Sequence, residues 1–270
     1  MAPFQYCLNT STIRPASLLD KIRIAGETGY SAIELWHDDI EPFLASGGKL
    51  LDIRKALDDQ RLQLPTTIYL RGWCDTTGAD HIAGLDECKQ RLEQAATLGA
   101  TYSIASPAGG KVDVALAARN YAELVILAQS FGIKASMEYL GFVEQINTIE
   151  SALEIMNLSR QPTATIVIDP FHNFRGGGAF SSLSLLKADQ IAISHFNDSP
   201  ASPPREQQHD HSRVLPGQGR CDLKQWVGLL KQIGYNRCLS LELFSEALWA
   251  RDPREVARIG LDAMKAVAES

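Results

Sequence analysis

The segment Thr165-Ile166-Val167-Ile168-Asp169-Pro170-Phe171-His172 is an apolar run that ends in a carboxylate, with a histidine three positions further on. A strand buried on both faces of a parallel sheet reads as such a run. Asp is a poor strand former, so Asp169 is expected at the strand's C-terminal end. There it either caps the next turn or does chemistry, and this segment alone does not separate the two.

Working outward, seven further segments read as strands: Phe4–Asn9, Ser31–Trp36, Leu62–Tyr69 (weakened by Pro65), Thr101–Ala105, Ile133–Glu138, Gln190–Phe196 and Cys238–Leu243. Between them lie helical patterns. Ser17 caps a helix to Thr28 that Gly29 stops. Further helices are expected over Lys49–Arg61, Leu85–Leu98, Val114–Phe131, from the Thr148 cap through Met156, over Ser182–Lys187, over Leu223–Ile233, and from Pro253 to about Val267. Strict alternation implies parallel strands joined by right-handed crossovers. Eight units in a chain of 270 residues match a (β/α)8 TIM barrel, one α/β domain over residues 1–270. The alternative, a doubly wound open sheet, lacks a Gly-rich dinucleotide turn after its first strand.

The chain is 45% hydrophobic and 21% charged, with a net charge of −6. That composition suits a soluble protein acting on small molecules and argues against a nucleic-acid partner. The five cysteines (Cys7, Cys74, Cys88, Cys221, Cys238) form no C-x-x-C pair, so a reducing, cytoplasmic setting is expected. Met1-Ala2-Pro3-Phe4-Gln5 carries no basic stretch before an apolar one, so no leader is expected. No apolar run approaches the roughly 18 residues of a membrane span, so no membrane partner is expected either.

The ionisable residues fall in register. Glu138 closes the fifth strand, Asp169 the sixth, His195 the seventh and Glu242 the eighth. In a barrel these ends converge on one mouth, where active sites form. Four such groups together are costly to bury unless something compensates them, and one divalent cation would. Three carboxylates and an imidazole favour Mn²⁺ or Mg²⁺ and tolerate Co²⁺ or Zn²⁺.

Met137-Glu138-Tyr139, Ile168-Asp169-Pro170-Phe171-His172, Ser194-His195-Phe196-Asn197-Asp198, Arg213-Val214-Leu215-Pro216-Gly217-Gln218-Gly219 and Leu241-Glu242-Leu243-Phe244 occur in this order. Together they resemble the xylose isomerase-like TIM barrels, the sugar phosphate isomerase/epimerase superfamily. The likeness spans essentially the whole chain and is nearest to the inosose (2-keto-myo-inositol) isomerases. The resemblance implies that Glu138, Asp169, His195 and Glu242 hold one divalent metal and that His172 and Arg213 touch substrate. It also implies that Glu138 and Glu242 move a proton on opposite faces of the substrate. A metal-dependent isomerase or epimerase of an unphosphorylated keto-cyclitol or ketose is then expected. A lyase of the 3-dehydroshikimate dehydratase type is the alternative, because those barrels resemble the chain over Arg213–Gly219 and Leu243–Ala257. A metal-loaded binding protein without activity is a third reading. Related barrels often dimerise or tetramerise, which leaves a homo-oligomer open.

Other residues carry weaker signals. Trp36 and Trp73 are expected in an aromatic wall of a sugar pocket, near Glu34, His37, Tyr69 and Arg71. Packing under loops would use the same residues. His209-Asp210-His211 resembles part of a second metal site, as in repair endonucleases of the superfamily, but early-strand histidines to match are lacking. Gly176-Gly177-Gly178 reads as a flexible loop rather than a phosphate cradle.

Overall fold

The computed structural model describes residues 4–270; Met1, Ala2 and Pro3, part of the segment read for a leader, lie outside them. The strands are Gln5–Asn9 (β1), Ala32–Trp36 (β2), Thr66–Leu70 (β3), Tyr102–Ala105 (β4), Lys134–Glu138 (β5), Thr165–Ile168 (β6), Ile191–His195 (β7) and Cys238–Leu241 (β8). Each pairs in parallel with the next. β1 pairs with β8 from Gln5–Cys238 to Leu8–Leu241, which closes the barrel.

The helices in chain order are α1 (Leu18–Thr28), α2 (His37–Ala45), α3 (Leu50–Asp59), α4 (Gly78–Leu98), α5 (Val114–Ser130), α6 (Ile149–Ser159), α7 (Pro170–Gly176), α8 (Leu223–Gln232), α9 (Glu246–Trp249) and α10 (Pro253–Ala268). The caps follow the sequence closely. Ser17 Oγ accepts from Asp20 N at 3.3 Å, and Gly29 ends α1 at φ 97°.

Four departures from the sequence reading stand out. β3 begins at Thr66 rather than Leu62, because Pro65 brings no N–H to the ladder. α4 starts at Gly78, before the expected Leu85, and runs through Gly84. A Cβ at Gly84 would lie 2.2 Å from Gly72 O, so the helix crosses the loop after β3 at a point only glycine fits. Helices α2, α7 and α9 were not expected; each follows a strand's C-terminal end and shapes the mouth. The expected Ser182–Lys187 helix is a 3-10 turn over Phe180–Leu185.

Alternation along the strands sorts side chains onto two faces. Leu8, Ile33, Leu35, Met137, Ile166, Ile168, Leu239 and Leu241 face outward into the main core with the helices. Cys7, Ala32, Ile68, Ile104, Val167, Ile193 and Cys238 form a separate apolar layer inside the barrel. The inward positions above that layer are polar, and the candidate site is built there. Among the described residues no helix is long and apolar enough to cross a membrane.

Candidate active site

Glu138, His195 and Glu242 offer ligand atoms that all lie within 4.8 Å of one another, and all three residues are buried. His195 Nδ1 is 3.0 Å from Glu242 Oε2, 3.5 Å from Asp169 Oδ2 and 3.7 Å from Glu138 Oε1. Neither ring nitrogen of His195 makes an aligned hydrogen bond, although the residue is fully buried. A buried, orphaned imidazole nitrogen facing three carboxylates fits a site for a divalent cation. Asp169 stands at the edge of the tight group, and it does both things the sequence left open. Its Oδ1 caps α7 by accepting from His172 N at 3.0 Å. Its Oδ2 faces His195 and accepts from Asn197 Nδ2 at 3.0 Å.

Neighbouring polar groups hold these carboxylates. Ser106 Oγ donates to Glu138 Oε2 at 2.8 Å, and Asn9 Nδ2 donates to Glu242 Oε1 at 3.0 Å. Tyr139 pins the backbone of Asp169: its hydroxyl accepts from the amide and donates to the carbonyl. Asn9 and Asn197 lay in segments that carried the family likeness but were given no role, and Ser106 carried no signal beyond lying just past a strand end.

Arg213 reaches the same group from the long segment after β7. Its Nη1 donates to Glu242 and lies 3.3 Å from Asp169 Oδ2, while Nη2 donates to Asp210 Oδ1 at 2.6 Å. The guanidinium is flanked by the rings of Phe171 and Phe244 at 5.2 and 5.3 Å. His172 Nε2 stands 2.7 Å from Arg213 Nη2, and Gly141 N donates to His172 Nδ1. The segment is anchored by Asp198, whose carboxylate accepts four backbone N–H bonds, from Ser199, Gly217, Gly219 and Cys221, at 2.8 to 3.1 Å.

Environment pushes the acidities apart. Burial raises the Glu138 carboxyl to about 8, against the opposing pull of His195. Burial acts the same way on Glu242, but His195 and Arg213 outweigh it and hold the carboxyl at about 2. Asp169 is held well below the usual range by Arg213 and His172, against burial. His195 is raised in spite of burial, chiefly by Glu242 and Glu34. His172 is lowered to about 4, first by burial and then by Arg213.

The group opens into a cavity of about 240 Å³. One wall is polar (Glu138, His172, Asp210, Arg213, Glu242) and the other is largely apolar (Trp36, Ile68, Tyr69, Leu140, Phe244). Trp36 meets Tyr69 and Phe244 edge to face at 5.9 and 5.7 Å, and its Nε1 donates to Asn9 Oδ1. Trp73, expected in this wall, is not there. It is fully buried in the main core against Tyr121, with centroids 5.6 Å apart, because the loop after β3 turns it outward under α5. His209 and His211 are exposed and stack on each other. Among the described residues they join no cluster of metal-binding groups; of that triplet only Asp210 lines the cavity. The Gly176–Gly178 run is a packed helix end rather than a loose loop: a Cβ at Gly176 would lie 2.0 Å from Asn147 O.

His37, the first residue of α2, is buried away from this cavity. Its Nδ1 lies 2.8 Å from Gln94 Oε1, and burial lowers its pKa to about 4. The unfolded chain therefore takes up this proton at a higher pH than the folded chain. Stability is full above about pH 6.5 and declines as pH falls towards 4, by roughly 3 kcal/mol from this residue. Thermal melts of the wild type and His37→Gln should converge as pH falls through that window; parallel curves would remove His37 as the cause.

The sequence pattern of the xylose isomerase-like TIM barrel family matches residues 22–267. The inosose isomerase of Bacillus velezensis is 26% identical over 272 residues, covering 97% of this chain and 96% of that one. The 3-dehydroshikimate dehydratase of Pseudomonas aeruginosa is 25% identical over 255 residues, covering 91% of this chain but 39% of that one. A solved structure of the IOLI protein with a binding zinc atom superposes with a TM-score of 0.91 at 25% identity, covering 98% of each chain.

Proposed function

We propose, from the premise that this chain belongs to the xylose isomerase-like TIM barrel family, that it is a metal-dependent isomerase or epimerase of an uncharged polyhydroxy ketone such as a keto-cyclitol. The observation that carries the reading is the pair Glu138 and Glu242. Both are buried, both edge one cavity, and their carboxylate oxygens lie within 4.8 Å of a ring nitrogen of His195. Two carboxyl groups edging one cavity can move a proton on a substrate held between them.

Glu138, Asp169, His195 and Glu242 would hold a divalent metal, which when bound polarises a carbonyl and acidifies the adjacent C–H. Mn²⁺ or Mg²⁺ suits the donor set, with Co²⁺ or Zn²⁺ tolerated; the zinc named for the IOLI structure supports a metal in a barrel of this kind. Ionised Glu242 takes the proton from carbon, and Glu138 supplies one from the other face. Arg213 steadies charge developing on the substrate oxygen. His172, neutral near pH 7, relays a hydroxyl proton. The apolar wall of Trp36, Tyr69 and Phe244 accepts the C–H face of the ring.

The protein's own charges in the cavity favour an uncharged substrate. Among the described residues lining the cavity, Arg213 is the sole arginine or lysine, and Glu242 and Asp210 already engage it. A substrate carboxylate or phosphate would find no uncommitted protein cation here, and would have to rely on the proposed metal alone. This favours the isomerase over the dehydratase reading, whose substrate is an acid, and the full-length likeness to inosose isomerase points the same way.

The test is incubation of metal-loaded protein with 2-keto-myo-inositol and, separately, 3-dehydroshikimate in deuterated water. Deuterium at the carbon beside the carbonyl, without loss of water, is the expected result with the cyclitol. A catechol-acid product from 3-dehydroshikimate would replace this reading with the lyase.

A further inference from the structure

Glu34, on β2, lies inside the barrel beneath the site and is fully buried. Three neutral side chains from three strands donate to it: Asn9 Nδ2 at 3.1 Å, Thr66 Oγ1 and Ser240 Oγ. Among the described residues no lysine or arginine pairs with it; the basic group in reach is the imidazole of His195, whose Nε2 lies 3.3 Å from Glu34 Oε2, close but without an aligned hydrogen bond. A buried carboxylate is expensive, and a glutamine would satisfy hydroxyl donors at lower cost. The feature a glutamine could not reproduce is the charge facing His195.

The two nitrogens of that ring point to different places. Nδ1 faces Glu138, Asp169 and Glu242, while Nε2 faces Glu34. An imidazole that ligates through one nitrogen keeps its proton on the other, and the group accepting that proton fixes tautomer and orientation. Asn9 extends the same support, since its amide donates to both Glu34 and Glu242.

We propose that Glu34 is a positioning residue: it accepts the Nε2 proton of His195 and so turns Nδ1 toward the carboxylates of Glu138, Asp169 and Glu242. This rests on the reading of those four residues as metal ligands. Glu34 does not line the cavity and touches no substrate; it acts through the imidazole.

Two measurements test it, neither depending on turnover. Calorimetric titration of metal-free protein with Mn²⁺ should show Glu34→Gln binding roughly 10- to 100-fold more weakly than wild type. Thr66→Val, which removes a hydrogen bond to Glu34 but keeps its charge, should stay within a few-fold of wild type. In the ¹⁵N spectrum of the zinc-loaded wild type, His195 should carry its proton on Nε2. Equal Mn²⁺ affinity in Glu34→Gln, an equal loss in Thr66→Val, or zinc on Nε2 would each overturn the proposal. A wild type that binds neither Mn²⁺ nor Zn²⁺ would instead overturn the metal site itself. If Glu34→Gln does not fold, the wild-type spectrum decides alone.

Discussion

Glu242→Gln is expected to lower kcat by about 10²- to 10⁴-fold, the usual contribution of a positioned proton-transfer group. Glutamine keeps the size of the side chain and an oxygen for Asn9, but it cannot ionise. The wild-type carboxyl is held at about 2, against burial, by His195 and Arg213, so it is fully ionised at working pH. The variant removes that base and leaves His195 and Arg213 facing a neutral amide. Metal content must be measured alongside, since Glu242 is also a proposed ligand. A variant that retains metal and loses both turnover and deuterium exchange at carbon has lost the base. A variant that loses metal first has lost the ligand. Wild-type turnover in Glu242→Gln would end the two-carboxylate mechanism.

Asp198→Ala is expected to cost substantial stability although it lies outside the site. The carboxylate is 1% exposed and accepts from four amides that span Ser199 to Cys221. A buried donor left without a partner costs about 1–3 kcal/mol. Relaxation and water will satisfy some of the four, so the net loss should be about 3–5 kcal/mol, or roughly 10 °C in Tm for a domain of this size. The antiparallel bridge between Asp198 and Val214 is backbone only and survives. Arg213 sits immediately before that bridge, so a loosened loop should also lower kcat/KM well below the melting temperature. Asp198→Asn keeps one acceptor oxygen and should fall between wild type and alanine. A Tm within 2 °C of wild type for Asp198→Ala would mean that the four bonds are individually weak.

The barrel was legible because its strands are short apolar runs bounded by glycine and proline, and the four site residues close four of them in sequence order. The rest was hidden for identifiable reasons. α2 was unreadable in His37-Asp38-Asp39-Ile40-Glu41-Pro42, where acidic residues and a proline mask the helical period. Trp36 is the last residue of β2, whereas Trp73 lies three residues past the end of β3. Only the local turn decides which ring enters the cavity and which the core. Asp198 lay within a segment that carried the family likeness, yet its partners are main-chain amides, which no side-chain pattern announces. Glu34 was noticed as one of several groups near the mouth. That it faces inward, beneath His195, follows from the β2 register and could not be read from its neighbours in sequence.

The apolar layer of Cys7, Ala32, Ile68, Ile104, Val167, Ile193 and Cys238 has a kinetic consequence. It packs the inside of the barrel next to the polar site, and its Ile68 also lines the cavity. Under the proposed function, reactant and product would both occupy the cavity lined by Trp36 and Phe244. Neither can enter until the other has left, so product should compete with reactant for free enzyme. For a reversible interconversion of near-isosteric ketones, net flux then depends on how quickly that cavity clears as well as on the chemical step.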